Sequence, residues 1–292
     1  MFLDLGRYTT MVAGGWNGVL SLSSVEVFGD ITCSIPKLPY AIRRSPQMFL
    51  HKNKEIVICG GYPKRTSCLK LVDGEWVTFA ELNKDRTNAV VVSMANRTFI
   101  FGGYNNEKSS EVLENGNESW KEGPTIPGEG IRNGCGVAIS KDELLLIGGE
   151  GDPKRIVKYN TISNTWTNET SLKTSRVWHQ CALYKNQIFV TGGSDGSRSV
   201  DIITIDPFTI SKGNELNIGR DHHGMGLIHN QGKISLAVFG GYNSDYNKLD
   251  SIEIFDDLTK TWTFSNVTLS EKKSDFGFLS LLPSHLVCPE TK

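Results

Sequence analysis

The chain has 292 residues, of which 38% are hydrophobic and 22% charged, and its formal net charge is −1. That balance supplies no global field for nucleic acid or an anionic membrane, and no apolar run is long enough to span a bilayer as a helix. The length would ordinarily suggest two domains, but one pattern recurs from end to end, which argues for a single repeat array.

The pattern starts almost at Met1, where MFLDLGRYTT has an early acidic residue and no apolar block, so no leader peptide is expected. TTMVAGG is an apolar run closed by two glycines, SVEVF alternates after it, and ITCSIP stands where later units carry a tryptophan. The second unit brings Arg44, EIVICGG, CLKLV and Trp76 after the turn DGEW, and the third brings Arg86, RTFIFGG, SEVLE and Trp120. In the fourth come Arg132, ELLLIGG, RIVKY and Trp166. The fifth has Arg176, QIFVTGG, DIITI and Phe208, and the sixth Arg220, SLAVFGG, SIEIF and Trp262. KKSDFGFLSLLP closes the series, with Lys273 standing roughly where the arginines stand.

The Gly-Gly pairs begin at 14, 60, 102, 148, 192 and 240, a spacing of 42 to 48 residues, which is the size of one propeller blade. Arg44, Arg86, Arg132 and Arg176 each lie sixteen residues before a first glycine and Arg220 lies twenty, so one unit holds a longer hairpin. Each unit reads as four short strands: one after the arginine, one ending in Gly-Gly, one alternating, and one opened by the aromatic. Paired glycines suit a strand that turns sharply against a crowding neighbour, because they reach positive φ and carry no Cβ. The tryptophans are expected to fill the wedge between blades, where burial contributes about 2–3 kcal/mol each. FGFLSLL near 274–282 has no partner in its own unit, and the first unit lacks an innermost strand. The tail is therefore expected to complete the first blade and leave no open edge around the ring.

This arrangement of arginine, apolar strand, Gly-Gly, alternating strand and tryptophan resembles the kelch repeat, most clearly in LLLIGGEGDPKRIVKYNTISNTWTNETSLKTSR. The resemblance covers essentially the whole chain and implies an all-β, six-bladed kelch β-propeller, with four antiparallel strands per blade and the first blade closed by the C-terminal strand. The expected blades are 1–35 with 274–282, then 43–80, 86–124, 132–170, 176–212 and 220–266, in a single monomeric domain of 1–292. The segments CSIPKLP, CGG and SCL look like stand-alone kelch proteins of invertebrates, and no BTB domain is recognisable in the chain.

Cysteines bear on the compartment. Cys59 ends the second strand of its unit and Cys68 opens the third, so the hairpin sets them side by side at a distance that allows a disulfide. Cys33 and Cys288 both fall in the first blade, on different strands, while Cys135 and Cys181 sit in innermost strands and are expected to be buried thiols. Asn96, Asn117, Asn168 and Asn266 head glycosylation triplets in a number close to chance. The cysteines tilt the reading towards an extracellular setting.

Kelch domains that bind proteins imply a site at the mouth of the channel, lined by the repeat arginine and the residue after Gly-Gly. Here those are Arg44, Arg86, Arg132, Arg176 and Arg220, with Trp16, Tyr62, Tyr104, Glu150, Ser194 and Tyr242. Guanidinium groups interleaved with aromatics make a receptor for carboxylates, since arginine forms bidentate bonds and stacks on rings. The same arginines can equally tie blade to blade through loop carbonyls. The expectation is a non-catalytic module for a protein or acidic peptide, with no cofactor, metal, nucleic acid or membrane span. The alternative is a carbohydrate-binding or carbohydrate-active protein resembling the sialic-acid mutarotases, with an acidic sugar as ligand. Asp221, His222 and His223 are the one dense group of metal-type ligands, but adjacent histidines on a strand face opposite ways. Against the iron motif of plant kelch proteins, Glu215 and His223 match the ends and Gly219 stands at the middle ligand. The two histidines and linked tyrosine of kelch-type copper oxidases have no assignable counterpart.

Overall fold

The computed structural model describes residues 8–29, 34–194, 198–230 and 232–285, and its strands follow the repeats one for one. β1 (Thr9–Ala13) and β2 (Val25–Phe28) open the chain. Blade two holds β3 (Gln47–His51), β4 (Glu55–Cys59), β5 (Cys68–Val72) and β6 (Glu75–Phe79). Blade three holds β7 (Val90–Met94), β8 (Arg97–Phe101), β9 (Ser110–Glu114) and β10 (Lys121–Glu122), and blade four β11 (Cys135–Ala138), β12 (Glu143–Ile147), β13 (Ile156–Asn160) and β14 (Thr165–Asn168). In blade five are β15 (Gln180–Tyr184), β16 (Gln187–Thr191), β17 (Val200–Thr204) and β18 (Thr209–Gly213). Blade six has β19 (Gly224–Asn230), β20 (Lys233–Phe239), β21 (Ile252–Asp256) and β22 (Thr261–Phe264), and β23 (Gly277–Leu281) follows.

Blades two to six are four-stranded antiparallel meanders, and in the first sheet β1 lies between β2 and β23. Met11 stands opposite Leu279 there, so head and tail of the chain are zipped together. The first sheet has three strands among the described residues; residues 30–33, with Cys33 in them, lie outside these, as does Cys288. Innermost strands contact one another in the order β23, β3, β7, β11, β15, β19 and back to β23. The molecule is thus a closed six-bladed propeller. Its sixth hairpin is the longest: β19 and β20 have seven residues each, which accounts for the larger interval between Arg220 and Gly240.

The wedges between blades are filled as the aromatic spacing requires. Trp120 of blade three meets Phe49 of blade two edge-on at 5.7 Å between ring centroids, and its indole N–H donates to the Ala80 carbonyl at 3.1 Å. Trp166 meets Phe101 of the preceding blade at 5.9 Å, and the indole of Trp76 donates to Pro36 O at 2.9 Å. Each indole therefore seals a seam and satisfies its polar edge there where an acceptor is near.

The Gly-Gly turns dock on the next blade and so define which positions are truly equivalent. The second glycine of each pair donates its N–H to one carbonyl of the following blade: Gly15 to Ile42, Gly61 to Arg86, Gly103 to Ile131, Gly149 to Arg176, Gly193 to Arg220 and Gly241 to Lys273, at 2.7–3.0 Å. At Gly102, where φ is +64°, a Cβ would overlap the Ile131 carbonyl oxygen, so only glycine admits this approach. Arg86, Arg176 and Arg220 thus share their position with Ile42, Ile131 and Lys273. Arg44 and Arg132 lie two residues and one residue beyond it. The fixed count of sixteen fails in blades two and four because their hairpins are longer, with turns over 52–54 and 139–142 against 95–96.

That shared position turns into its own blade. Arg86 Nε donates to Glu111 Oε1 at 2.9 Å, Arg176 Nε to Asp201 Oδ2 at 3.1 Å and Arg220 Nη2 to Glu253 Oε1 at 2.6 Å. Lys273 pairs likewise with Glu26. All four cations are buried. Each acid is preceded two residues earlier by a serine that also accepts from the cation: Ser109, Ser199, Ser251 and Ser24. Where the cation is replaced by Ile42 or Ile131, the acid position holds Leu69 or Val157, also buried. Two physical solutions to one site occur around the ring, a hydrogen-bonded ion pair in blades one, three, five and six and an aliphatic pair in blades two and four, and never a mixture.

Two disulfides are present among the described residues. Cys59 and Cys68 face each other across β4 and β5 with Cα atoms 4.1 Å apart, as the hairpin spacing anticipates. The expectation of buried thiols at Cys135 and Cys181 is corrected. These two are bonded to each other at 2.05 Å, tying β11 to β15, because the innermost strands of neighbouring blades converge at the axis.

Candidate functional site

Two residues beyond the docking carbonyl, each blade sends one residue to the mouth of the channel. These six are Arg44, Asn88, Asn133, Trp178, His222 and Asp275, all at positive φ between 49° and 64°. Their backbones form a belt. Asn88 N donates to Arg44 O (3.1 Å), Asn133 N to Asn88 O (3.0 Å), Trp178 N to Asn133 O (2.7 Å), His222 N to Trp178 O (3.0 Å) and Asp275 N to His222 O (3.2 Å), and Ser45 N closes the circle on Asp275 O (3.0 Å). Asparagine, aspartate and histidine are enriched in this conformation, whereas arginine and tryptophan hold it at a cost that the belt must offset. A circle built from one backbone geometry thus displays six unlike side chains.

Outside the belt lies a second layer, in which the residue after Gly-Gly bonds the residue before the belt position. Arg43 pairs in this way with Tyr62, Asp221 with Tyr242 and Trp16 with Ser274. Tyr104 and Glu150 donate their N–H groups to Thr87 and Arg132, and Ser194 to Val177. The positions after Gly-Gly therefore do form a rim, with Tyr104 49% exposed and Trp16, Tyr62 and Tyr242 half-buried.

Of the repeat arginines, the structure brings Arg44 and Arg132 to this rim, while Arg86, Arg176 and Arg220 do not reach it, being held in their blades by the carboxylates described above. Arg43, which the period does not single out, joins instead. Its guanidinium carbon lies 4.3 Å from the Trp16 ring centroid and 5.2 Å from that of Tyr62, and Arg44 and Arg65 approach Tyr62 at 5.3 and 5.7 Å. Neither Arg43 nor Arg44 has a carboxylate partner among the described residues, and Arg43 Nε is buried without a hydrogen-bond acceptor. Arg132 stacks on Tyr104 at 5.2 Å but is neutralised by Glu107 at 3.2 Å and by Glu150.

Trp16, Arg43, Arg44, Trp178, Asp221, His222, Tyr242, Tyr246 and Asp275 enclose a cavity of about 390 Å³ at the mouth. Trp178 stacks on His222 with centroids 4.7 Å apart. His222 Nδ1 lies 2.8 Å from Asp221 Oδ1, and its Nε2 is 3.7 Å from Asp275 Oδ1. Burial disfavours the charged ring, yet the Asp221 hydrogen bond and the charges of Asp275 and Asp221 outweigh it and raise the His222 pKa. His223 points the other way, into the protein, where its Nε2 meets Thr191 Oγ1 at 2.9 Å. Burial and nearby Arg220 keep it neutral, and the two histidines share no ligand position. Below the belt the channel continues as a cavity of about 250 Å³, with Gln47, Asn88, Asn133, Gln180 and Ser280 among its walls.

Sequence reasoning misses Arg43, Trp178, His222 in its stacking role, Tyr246 and Asp275. One signal could have found Trp178, His222 and Asp275: the Ser-x-acid triplet of the third strand marks which units bury their cation, and the belt position follows two residues after that cation.

Comparison with known proteins agrees with the repeat. The Kelch motif family matches residues 238–265, the second to fourth strands of blade six. The chain is similar to a kelch repeat-containing protein of Dictyostelium discoideum, 30% identical over 149 residues covering 47% of this chain and 22% of the relative. It is also similar to kelch repeat and BTB domain-containing protein 8 of Danio rerio, 24% identical over 71% of this chain and 37% of the relative. Kelch-like protein 38 of Mus musculus is 25% identical over 85% and 44%, so the chain spans less than half the length of these relatives.

Proposed function

We propose that this chain, a six-bladed propeller of kelch repeats, is a non-catalytic interaction module that receives an acidic segment of a partner protein at the mouth of its channel. The observation that carries this is the pair Arg43 and Arg44: two guanidinium groups stacked on Trp16 and Tyr62 that form no ion pair among the described residues, the cavity's own Asp221 and Asp275 being turned to His222. A partner's Asp or Glu would complete a charge-assisted, partly desolvated pairing. Tyr242 and Tyr246 close the far side of the same cavity. Arg132 and Tyr104 lie farther round the rim and would contribute through stacking, since that arginine's charge is already met. Arg86, Arg176 and Arg220 act on the site through the blades they hold in place.

The test is a screen of the immobilised propeller against short synthetic peptides of graded charge. The bound set is expected to be rich in Asp and Glu, and Arg43→Ala/Arg44→Ala should weaken binding by about tenfold or more at unchanged melting temperature. A bound set without acidic character, or binding indifferent to both arginines, overturns the proposal. A sugar carboxylate would suit the same arginines, so sialic-acid anomer exchange followed by NMR is the control for the non-catalytic reading: acceleration over buffer overturns it.

A further inference from the structure

Beside the two arginines, the loops of blades six and one raise apolar side chains into solvent. Val19 is 77% exposed, Leu20 63% and Tyr246 83%. Val19 and Leu20 stand on the turn that leads out of Trp16 and returns at Ser21, and the turn is fixed, because Asn17 Oδ1 accepts from the N–H groups of both, at 3.0 and 2.8 Å. Tyr246 belongs to the loop between Tyr242 and Lys248, which pair with each other, and it closes the same cavity as Trp16, Arg43 and Arg44. The Lys248 ammonium lies over the Tyr242 ring at 4.6 Å and against Gly18, so the two loops meet. Three large apolar groups on two short, hydrogen-bonded loops, side by side at a charged mouth, are not the scattered singles of an ordinary surface.

The opposite part of the rim has the other character. Glu107, Glu129 and Glu150 line a groove of about 580 Å³ between blades three and four, with Lys108 and Arg132 as its cations, so carboxylates are in excess there and Arg132 is already paired with Glu107 and Glu150. An acidic ligand is disfavoured there relative to blades one and two, where Arg43 and Arg44 form no ion pair among the described residues, next to the apolar loops.

We propose that the partner is a protein segment in which an acidic residue is followed or preceded closely by aliphatic or aromatic ones. The carboxylate meets Arg43 and Arg44, while the apolar side chains cover Val19, Leu20 and Tyr246. This rests on the acidic-segment reading above and adds the class of neighbour that the acid must have. The apolar contact supplies the water exclusion that makes a rim ion pair worth more than an exposed one.

The experiment compares two variants on the peptides selected in the screen. Val19→Ser/Leu20→Ser combined with Tyr246→Ser alters exposed side chains alone, so its melting temperature should match the wild type. Peptides carrying both acidic and apolar residues are expected to lose about tenfold in affinity to this variant and a comparable factor to Arg43→Ala/Arg44→Ala. A selected set that is acidic but free of apolar residues, or indifferent to the loop variant while sensitive to the arginine variant, overturns this inference and leaves the acidic reading standing. Sensitivity to the loop variant with no dependence on the arginines overturns the acidic reading, and this inference with it. Failure to select any peptide overturns both.

Discussion

Arg86 and Glu111 show at the scale of single residues what a blade interior demands. Both side chains are buried, and Glu111 also accepts from the N–H groups of Asn83 at 2.6 Å and Lys84 at 3.3 Å, pinning the segment that crosses from the blade before. Burial lowers the Arg86 pKa and the charge of Glu111 opposes that. Glu111→Ala leaves the guanidinium sealed without its counter-ion and is expected to cost about 3–5 kcal/mol in urea unfolding. Arg86→Ile/Glu111→Val copies the Ile131 and Val157 of blade four and should recover much of that loss. A double variant no better than the single one would refute the equivalence of the two solutions. His179 gives a pH dependence of known sign. Burial first, and the charge of Arg176 second, hold its pKa down to about 3 from 6.5. Its contribution to stability is therefore full above about pH 6.5 and is lost as pH falls towards its folded value, at roughly 1.4 kcal/mol per pH unit. The fall in unfolding free energy between pH 7 and pH 5 should be shallower in His179→Gln; an unchanged fall would count against a buried neutral ring. His222, with a raised pKa, works in the opposite sense and loses its contribution as pH rises through that raised value.

At the scale of elements, the two disulfides do different things. Cys59 and Cys68 are separated by 9 residues and sit on neighbouring strands of one hairpin, so their bond closes only a short loop of the chain. Cys135 and Cys181 are 46 residues apart and join two blades. The chain-entropy argument assigns roughly 4 kcal/mol to the longer loop and about 2.6 kcal/mol to the shorter. Replacing Cys135 and Cys181 by serine should therefore lower the denaturation midpoint more than replacing Cys59 and Cys68, and reductant should abolish the difference between wild type and the double replacements. Equal losses would mean that packing between blades four and five already fixes those strands.

For the whole molecule, stability depends on closing a circle whose ends are far apart in sequence. β23 is held between β1 and the innermost strand of the next blade, Lys273 supplies the cation for Glu26, and Asp275 completes the belt at the mouth. Ending the chain before Lys273 removes all three at once and bares the long edge of β1. Such a truncation is expected to elute as aggregate in size-exclusion chromatography. If it ran as a folded monomer, the ring would not need its latch.

Blade number, strand order and the closing role of the tail are legible in the amino-acid sequence because each is set by local, repeated chemistry: glycines at a crowded turn, an aromatic for the wedge, alternation for a half-buried strand. The Cys59–Cys68 bond is legible for the same reason, since a tight hairpin dictates its geometry. Tertiary structure alone decided which arginines face the mouth. Hairpins of unequal length move the counting register by one or two residues, and on the docking position of a blade that shift turns a side chain from the interior to the rim. Arg44 and Arg86 look alike by spacing and end in opposite environments, because the carbonyl that receives the Gly-Gly turn comes from the next blade. The bond between Cys135 and Cys181 and the company of Arg43, Trp16, Val19 and Tyr246 were decided there too, since residues that the chain keeps far apart meet only when the six sheets converge on one axis.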